Sequence, residues 1–342
     1  MTTLIAFIVI FGTIVFVHEL GHFTVAKMAG IRVYEFSLGF GPTLGSKKWG
    51  ETKYSIRALP LGGFVKMAGM DKPETIDDEI EADDPGSFQN KSLAWRIATI
   101  AAGPLMNFVF AVVLFAIYFM LVTIPPTITL IEVDSPAEQA GFLPGDQFVA
   151  VDDVPVDSTQ QIVNLIQAAP DREINVTVKR NTDVLDIPVT PLNKEEKGVI
   201  GVGIDSKPQY PFFTSVSAAV TQTGHMTNQL VHDLGQMIVG KQKAEISGPI
   251  GIVQIVGQTA RHGLPSLLLL AVILNINLGL LNLLPVPVLD GGWIVILAIE
   301  AIRGKPLAPE HRGIAQFIGL ALLLLLMVFA TIKDISRLNL FS

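Results

Sequence analysis

His18-Glu19-Leu20-Gly21-His22 sets two imidazoles four residues apart, with a carboxylate directly after the first. On a helix, positions i and i+4 project from one face, so both rings reach a single Zn²⁺ at about 2.0–2.1 Å. Glu19 is then placed to take a proton from a water whose pKa the metal lowers toward about 7. Rough residue frequencies give this pattern by chance in a chain of this length on the order of 1% of the time. The competing reading is three polar residues satisfying one another at a helix end. A catalytic zinc takes three protein ligands and keeps one position open. The best acidic candidate for the third ligand is Asp290, in Asn282-Leu-Leu-Pro285-Val-Pro287-Val-Leu-Asp290-Gly291-Gly292. Glu300 is the rival, but it falls on a regular helix near a basic loop, where a carboxylate pairs instead. His225 and His232 lie seven apart with no third ligand at zinc spacing, and they read as solvated or interfacial.

The elements that must position these residues are membrane spans. Only 16% of the 342 residues are charged, against about 25% in a typical soluble domain. Half are apolar while aromatic content is ordinary, so the excess is aliphatic. There is no cysteine, which excludes thiolate zinc sites and thiol nucleophiles. A net charge of −7 argues against nucleic acid as a partner. Four stretches reach the roughly 20 apolar residues a bilayer requires. They run from about 3 to 26, from 97 to 124 until Pro125-Pro126, from 264 to 289, and from 313 to 332. The third is interrupted by Pro285 and Pro287, and the short apolar piece 293–302 continues it as a broken span. The first lacks the positive flank of a signal peptide and carries charge where a cleavage region would sit. His18 falls about 22 Å along this span at 1.5 Å per residue, inside a hydrocarbon core of about 30 Å. Ionisable groups there are costly unless paired or metal-bound, so they default to a functional site.

Lys27, Arg32, Lys47, Lys48, Lys53, Arg57 and Lys66 closely follow the first span, and nothing positive precedes it. Arg303, Lys305 and Arg312 lie between the third and fourth. Both loops therefore read as cytoplasmic, with the N-terminus and the region 125–263 outside. Lys333 and Arg337 in the tail mildly oppose that orientation. Between the first two spans, 34–37, 53–57 and 61–67 read as short strands of a loop that either forms a plain cytoplasmic sheet or offers an edge to an extended peptide. Residues 71–86, with eight acids and one Lys, read as a solvated linker. Strand signals at 127–133, 147–151, 174–178 and 184–189 alternate with helix signals at 135–141 and 159–168. Beyond them, Val216, Val220, Thr223, Met226, Leu230, Leu234 and Met237 mark one helix face.

HELGH in the first span together with NLLPVPVLDGG in the third resembles the site-2 protease family of intramembrane zinc metalloproteases. Further matches are Ser37-Leu-Gly-Phe-Gly-Pro42, Pro60-Leu-Gly-Gly-Phe-Val-Lys66, Gly103-Pro-Leu-Met-Asn107 and Ser247-Gly-Pro-Ile-Gly-Ile252. The runs SPAEQAG and GDQFVAVDD resemble a PDZ domain of the bacterial, circularly permuted kind, over roughly 126–205. One such copy between the second and third spans narrows the resemblance to the bacterial RseP/RasP type. The fold it implies is an α-helical polytopic membrane protein of about four transmembrane helices, the third broken, with a membrane-associated β-loop and an inserted extracytoplasmic α/β PDZ domain. The corresponding segments are 1–30, with the HExxH; 31–70, the β-loop; 71–92, the acidic linker; 93–124, the second span; and 126–205, the PDZ domain. Residues 208–263 follow as amphipathic helices, 264–302 as the broken third span and 313–333 as the fourth.

The resemblance implies that His18, His22 and Asp290 ligate zinc and that Glu19 is the general base. Asn282 matches a family Asn that holds the substrate backbone, and Asn107 offers a second amide as a substrate-binding or oxyanion group, or else a helix–helix hydrogen bond. It further implies a strand edge within 53–67 that receives unwound substrate, and substrates that are single-span membrane proteins such as anti-sigma factors or remnant signal peptides. The PDZ domain would bind peptide or filter by size. Trp293 departs from the family, standing where His is common after LDGG. Two rival classes are a zinc transporter, which needs ligands at several depths and no Glu19, and a non-catalytic PDZ scaffold, which needs no HExxH.

Overall fold

The computed structural model describes residues 2–70, 84–122, 124–207, 210–241, 248–305 and 307–337. Most of the acidic linker (71–83) and Ser247 lie outside the described residues. The chain runs α1 (Thr2–Met28), β1 (Val33–Trp49), β2 (Thr52–Met67), α2 (Leu93–Leu121), β3 (Ile124–Ile131), α3 (Pro136–Ala140), β4 (Gln147–Val151), β5 (Val154–Pro155) and α4 (Thr159–Gln167). It continues with β6 (Ile174–Arg180), β7 (Asp183–Val189), β8 (Leu192–Lys194), β9 (Lys197–Val199), β10 (Val202–Lys207), α5 (Phe212–Ile238), α6 (Pro249–Arg261), α7 (Leu264–Asn282), α8 (Asp290–Arg303) and α9 (Pro309–Arg337). Two compact units divide it, one of 1–116 with 216–342 and one of 117–215.

Four helices among the described residues are long and apolar enough to cross a membrane: Thr3–Met28, Leu93–Leu121, Leu264–Asn282 and Glu310–Ser336. Two helix ends differ from the apolar run lengths. α2 stops at Leu121 rather than at Ile124, because Pro125 pushes the residue before it out of helical space and Ile124 opens β3 instead. The apolar run 264–289 ends as helix at Asn282, and helix resumes at Asp290; Pro285 and Pro287 cannot supply the N–H groups that would bridge the two.

β1 and β2 are longer than the alternation suggested, and each bends on itself. Glu35–Leu38 pairs with Lys53–Ile56 on one side and with Lys66–Gly63 on the other. The stretch 33–38 therefore lies between 52–57 and 62–67, and 62–67 forms an edge. Residues 43–49 pair with 52–57 through a turn at Gly50. That outer ribbon is almost wholly exposed along 40–49, so its sequence carries no buried alternation to read. Within the sheet, Glu35 is buried enough to raise its carboxyl, but hydrogen bonds from Ser55 and Arg57 outweigh this and hold it low.

One apolar cluster, built from Ala26, Ile31, Phe36, Phe88, Ile100 and Leu297, joins α1, the hairpin, α2 and α8. This packing fixes the three helices that carry the site. Glu300 is buried on α8 and accepts from Arg96 of α2 at 3.1 Å, Arg312 of α9 at 2.5 Å and the Leu307 N–H at 3.0 Å. At the far end of α9, buried Asp334 accepts from the Gly248 and Gly251 N–H groups at 3.0 and 2.7 Å, capping α6 from another helix.

The second unit holds a six-stranded sheet in the order β10-β3-β4-β6-β7, with β5 pairing β4. Its core gathers Ile128, Phe148, Val151, Val176 and Val178 from the strands with Ile162 and Ile166 from α4. Ser135 caps α3 by accepting from the Glu138 N–H, and Gly141 ends it in left-handed conformation. Asp146 is buried, which alone would raise its carboxyl. The Arg180 guanidinium, donating to both oxygens at 2.7 Å, and the Leu143 N–H hold it below the usual aspartate range instead.

Candidate metal centre

α1 is apolar on every side except at its last turns, where His18 and His22 meet edge-to-face one turn apart with ring centroids 4.9 Å from each other. Asp290 arrives from the first turn of α8. The strained segment before it aims the carboxylate: Val288, a β-branched residue, sits at φ +84, a conformation costing about 1–3 kcal/mol. It is held between turns closed by Val286 N–H to Leu284 O at 2.7 Å and Gly292 N–H to Leu289 O at 3.0 Å.

The three side chains that converge here are closely spaced. His18 Nε2 and His22 Nε2 are 3.3 Å apart, His18 Nε2 is 3.2 Å from Asp290 Oδ2, and His22 Nε2 is 3.4 Å from Asp290 Oδ1. A tetrahedral ion with bonds of about 2.0–2.1 Å separates its ligands by about 3.3 Å. The His22 Nδ1–H donates to the Thr99 carbonyl at 2.9 Å, so in the neutral ring Nε2 presents its lone pair to the other two groups. Asp290 Oδ2 is buried without a hydrogen-bond donor. Lone pairs converging in a buried space call for a cation, and two imidazoles with one carboxylate fit zinc. It is the one His/Cys/Asp/Glu group of metal-binding geometry among the described residues.

A cavity of about 320 Å³ opens on this triad and is lined by Glu19, Asn282, Val288 and the 62–65 edge, besides His18, His22 and Asp290. Glu19 is 8% exposed and lies under Gly63, where an added Cβ would come within 2.8 Å of its Cγ. The hairpin edge therefore packs directly over Glu19, and only glycine admits that approach. On the opposite side α2 presses against His22. A Cβ on Gly103 would stand 2.2 Å from His22 Nε2.

The two asparagines part company. Asn282 lines the cavity, whereas Asn107 is fully buried behind His18, with Nδ2 at 3.2 Å from its Nδ1, and is not among the cavity-lining residues. Glu300 is engaged by two arginines well away from the triad. His225 and His232 are exposed on α5. Nothing in the residue pattern marks the Thr99 carbonyl, since a backbone acceptor leaves no trace in residue type. The Gly103-to-Asn107 spacing, by contrast, is visible as a motif, with Asn107 read as a substrate-binding or oxyanion amide or a helix–helix hydrogen bond.

Comparison with known proteins agrees with this chemistry. The description of Peptidase family M50 matches residues 6–326. Zinc metalloprotease RasP of Geobacillus kaustophilus is 35% identical, over 98% of this chain and 98% of its own length. Regulator of sigma-W protease RasP of Bacillus subtilis is 34% identical, over 99% of both. Among solved structures, a PDZ domain of an SdrC-like protein from Listeria monocytogenes covers 25% of this chain and 90% of its own, with 15% identity and a TM-score of 0.23. The chain belongs to peptidase family M50, the site-2 proteases.

Proposed function

We propose that this chain is an intramembrane zinc metalloprotease that hydrolyses peptide bonds in or near the span of single-span membrane proteins. The observation carrying the reading is that His18, His22 and Asp290 converge at the ligand spacing of a tetrahedral ion, on a cavity that Glu19 shares. Zinc held by these three residues supplies Lewis acidity to a carbonyl and acidifies water. Glu19 takes the proton of the attacking water and returns it to the leaving amine, the ordinary duty of a buried carboxylate facing its substrate. Asn282 is assigned to hold the substrate backbone, since its amide borders the same cavity. A helical substrate must unwind to expose its peptide bond. Pairing with the 62–67 edge restores the hydrogen bonds it gives up.

Lysine and arginine after the first span and between the third and fourth support an active site toward the cytoplasm of a bacterial plasma membrane, with α7 and α8 as two halves of one crossing. The second unit is then an extracytoplasmic PDZ domain. A groove of about 170 Å³ between α4 and the edge strand β10, bordered by Val163, Ile166, Gly201 and Val202, is where it would take an extended peptide. The name of the Bacillus subtilis relative favours a regulatory substrate of the anti-sigma type.

The test is cleavage of a tagged single-span, N-in substrate in a host lacking its own enzyme of this class. Wild type yields a product ending in or beside the span, and Glu19→Gln lowers the yield at least 100-fold, in the range general-base loss costs. Equal processing by both would remove Glu19 as base and favour the transporter or scaffold readings.

A further inference from the structure

We infer that Asn107 is a positioning residue for His18, its side-chain oxygen accepting from the His18 Nδ1–H so that Nε2 is left as the ligand nitrogen. The inference rests on the zinc reading above. Thr99, Gly103 and Asn107 follow one another at four-residue spacing and so form one stripe along α2. Each meets an imidazole of α1. The Thr99 carbonyl accepts from His22 Nδ1 at 2.9 Å, Gly103 lies against the His22 ring, and the Asn107 amide stands 3.2 Å from His18 Nδ1.

For His22 the proton must sit on Nδ1, because a carbonyl only accepts. His18 faces the same demand from the other direction. Its Nε2 points at His22 Nε2 and Asp290 Oδ2 and must be unprotonated to bind a metal, so a neutral ring carries its proton on Nδ1. The amide atom facing Nδ1 must then be the oxygen. The nitrogen and oxygen of an asparagine exchange by a half-turn of the amide, and the hydrogen-bond network decides between them. Among the described residues His18 is the one partner this side chain meets, and the other amide atom is buried with none. A group with 0% exposure that does not line the cavity has no route to substrate. What remains for a buried amide in an apolar helix is to orient the ring it touches.

The experiment measures zinc affinity of the purified full chain by chelator competition, for wild type, Asn107→Ala, Asn107→Asp and His18→Ala, alongside melting of each metal-free protein. Loss of the outer partner weakens zinc binding in Asn107→Ala by roughly 10–100-fold without moving the metal-free melting point. Asn107→Asp, which only accepts, restores wild-type affinity. Three results overturn the inference: unchanged zinc affinity in Asn107→Ala, which means the His18 ring is oriented without it; lowered metal-free melting with no rescue by Asp, which makes it a helix–helix contact; or zinc retained by His18→Ala, which removes the metal site itself. Should the Asp variant fail to fold, ¹⁵N spectra of histidine-labelled, zinc-loaded wild type decide. Protonated His18 Nδ1 upholds the inference, and unprotonated Nδ1 overturns it.

Discussion

A single carbon added at Gly103 would stand 2.2 Å from His22 Nε2, inside any tolerable contact. That atom is a metal-ligand nitrogen in the proposed site, and its ring is tethered by the Thr99 carbonyl. The imidazole cannot retreat without breaking that bond, and α2 cannot retreat without opening the cluster around Ile100. Gly103→Ala is therefore expected to fold and to cost at least 10-fold in zinc affinity, by displacing a ligand as loss of its outer partner would. Zinc content after dialysis against a chelator, read beside helix content by circular dichroism, checks this. Full zinc retention would mean that α2 yields more easily than the packing implies. At the same scale the sequence spoke clearly about His18, Glu19 and His22, because their geometry is set within one helical turn. It spoke of Asp290 only by its company of prolines and glycines.

The segment from Leu283 to Leu289 is the least regular part of the site and the part that sets Asp290. Helix α7 ends as the chain enters Pro285 and Pro287, and α8 begins on Asp290 itself. Val288 at φ +84 is strained, and glycine at that position removes the strain. Val288→Gly is expected to raise the stability of the metal-free protein by about 1 kcal/mol, the strain relieved less the added freedom of the unfolded chain. The same change loosens the carboxylate and weakens zinc binding. Thermal melting with and without zinc measures both: the two curves approach each other, and a variant stabilised equally in both states would show that the strain serves no positioning. The hairpin gives the matching lesson for strands. Short alternating pieces at 34–37, 53–57 and 61–67 were legible, yet 33–38 lying between the other two, with 62–67 left as the edge over Glu19, is a matter of pairing.

Within the first unit, both ends of the span set meet the same helix. Thr3 of α1 packs against Gly257 of α6, and Asp334 of α9 caps the start of α6. The beginning of the first apolar helix and the end of the last thus lie against one helix. With no native cysteine in the chain, single-cysteine variants test the proposed orientation without a background. Lys48→Cys lies at the hairpin turn and Asp183→Cys in the second unit, both at exposed positions. A membrane-impermeant maleimide on intact cells is expected to label Asp183→Cys and to reach Lys48→Cys only after permeabilisation. The opposite pattern would reverse the topology and set the active site toward the other face.

What the amino-acid sequence determined by itself is what short-range physics fixes. The i, i+4 imidazoles follow from helical periodicity, the four spans from runs long enough for a bilayer, and the strands of the second unit from residues alternating toward one core. The tertiary structure alone decided the contest between the two acidic residues of α8. Asp290 turns its carboxylate to the imidazoles, while Glu300, ten residues on, is neutralised by Arg96 and Arg312 arriving from α2 and α9. It alone separated Asn282 from Asn107, one beside the cavity and one behind His18. Those outcomes depend on which helices pack together, and a buried charge or amide takes its role from the partner that packing brings to it.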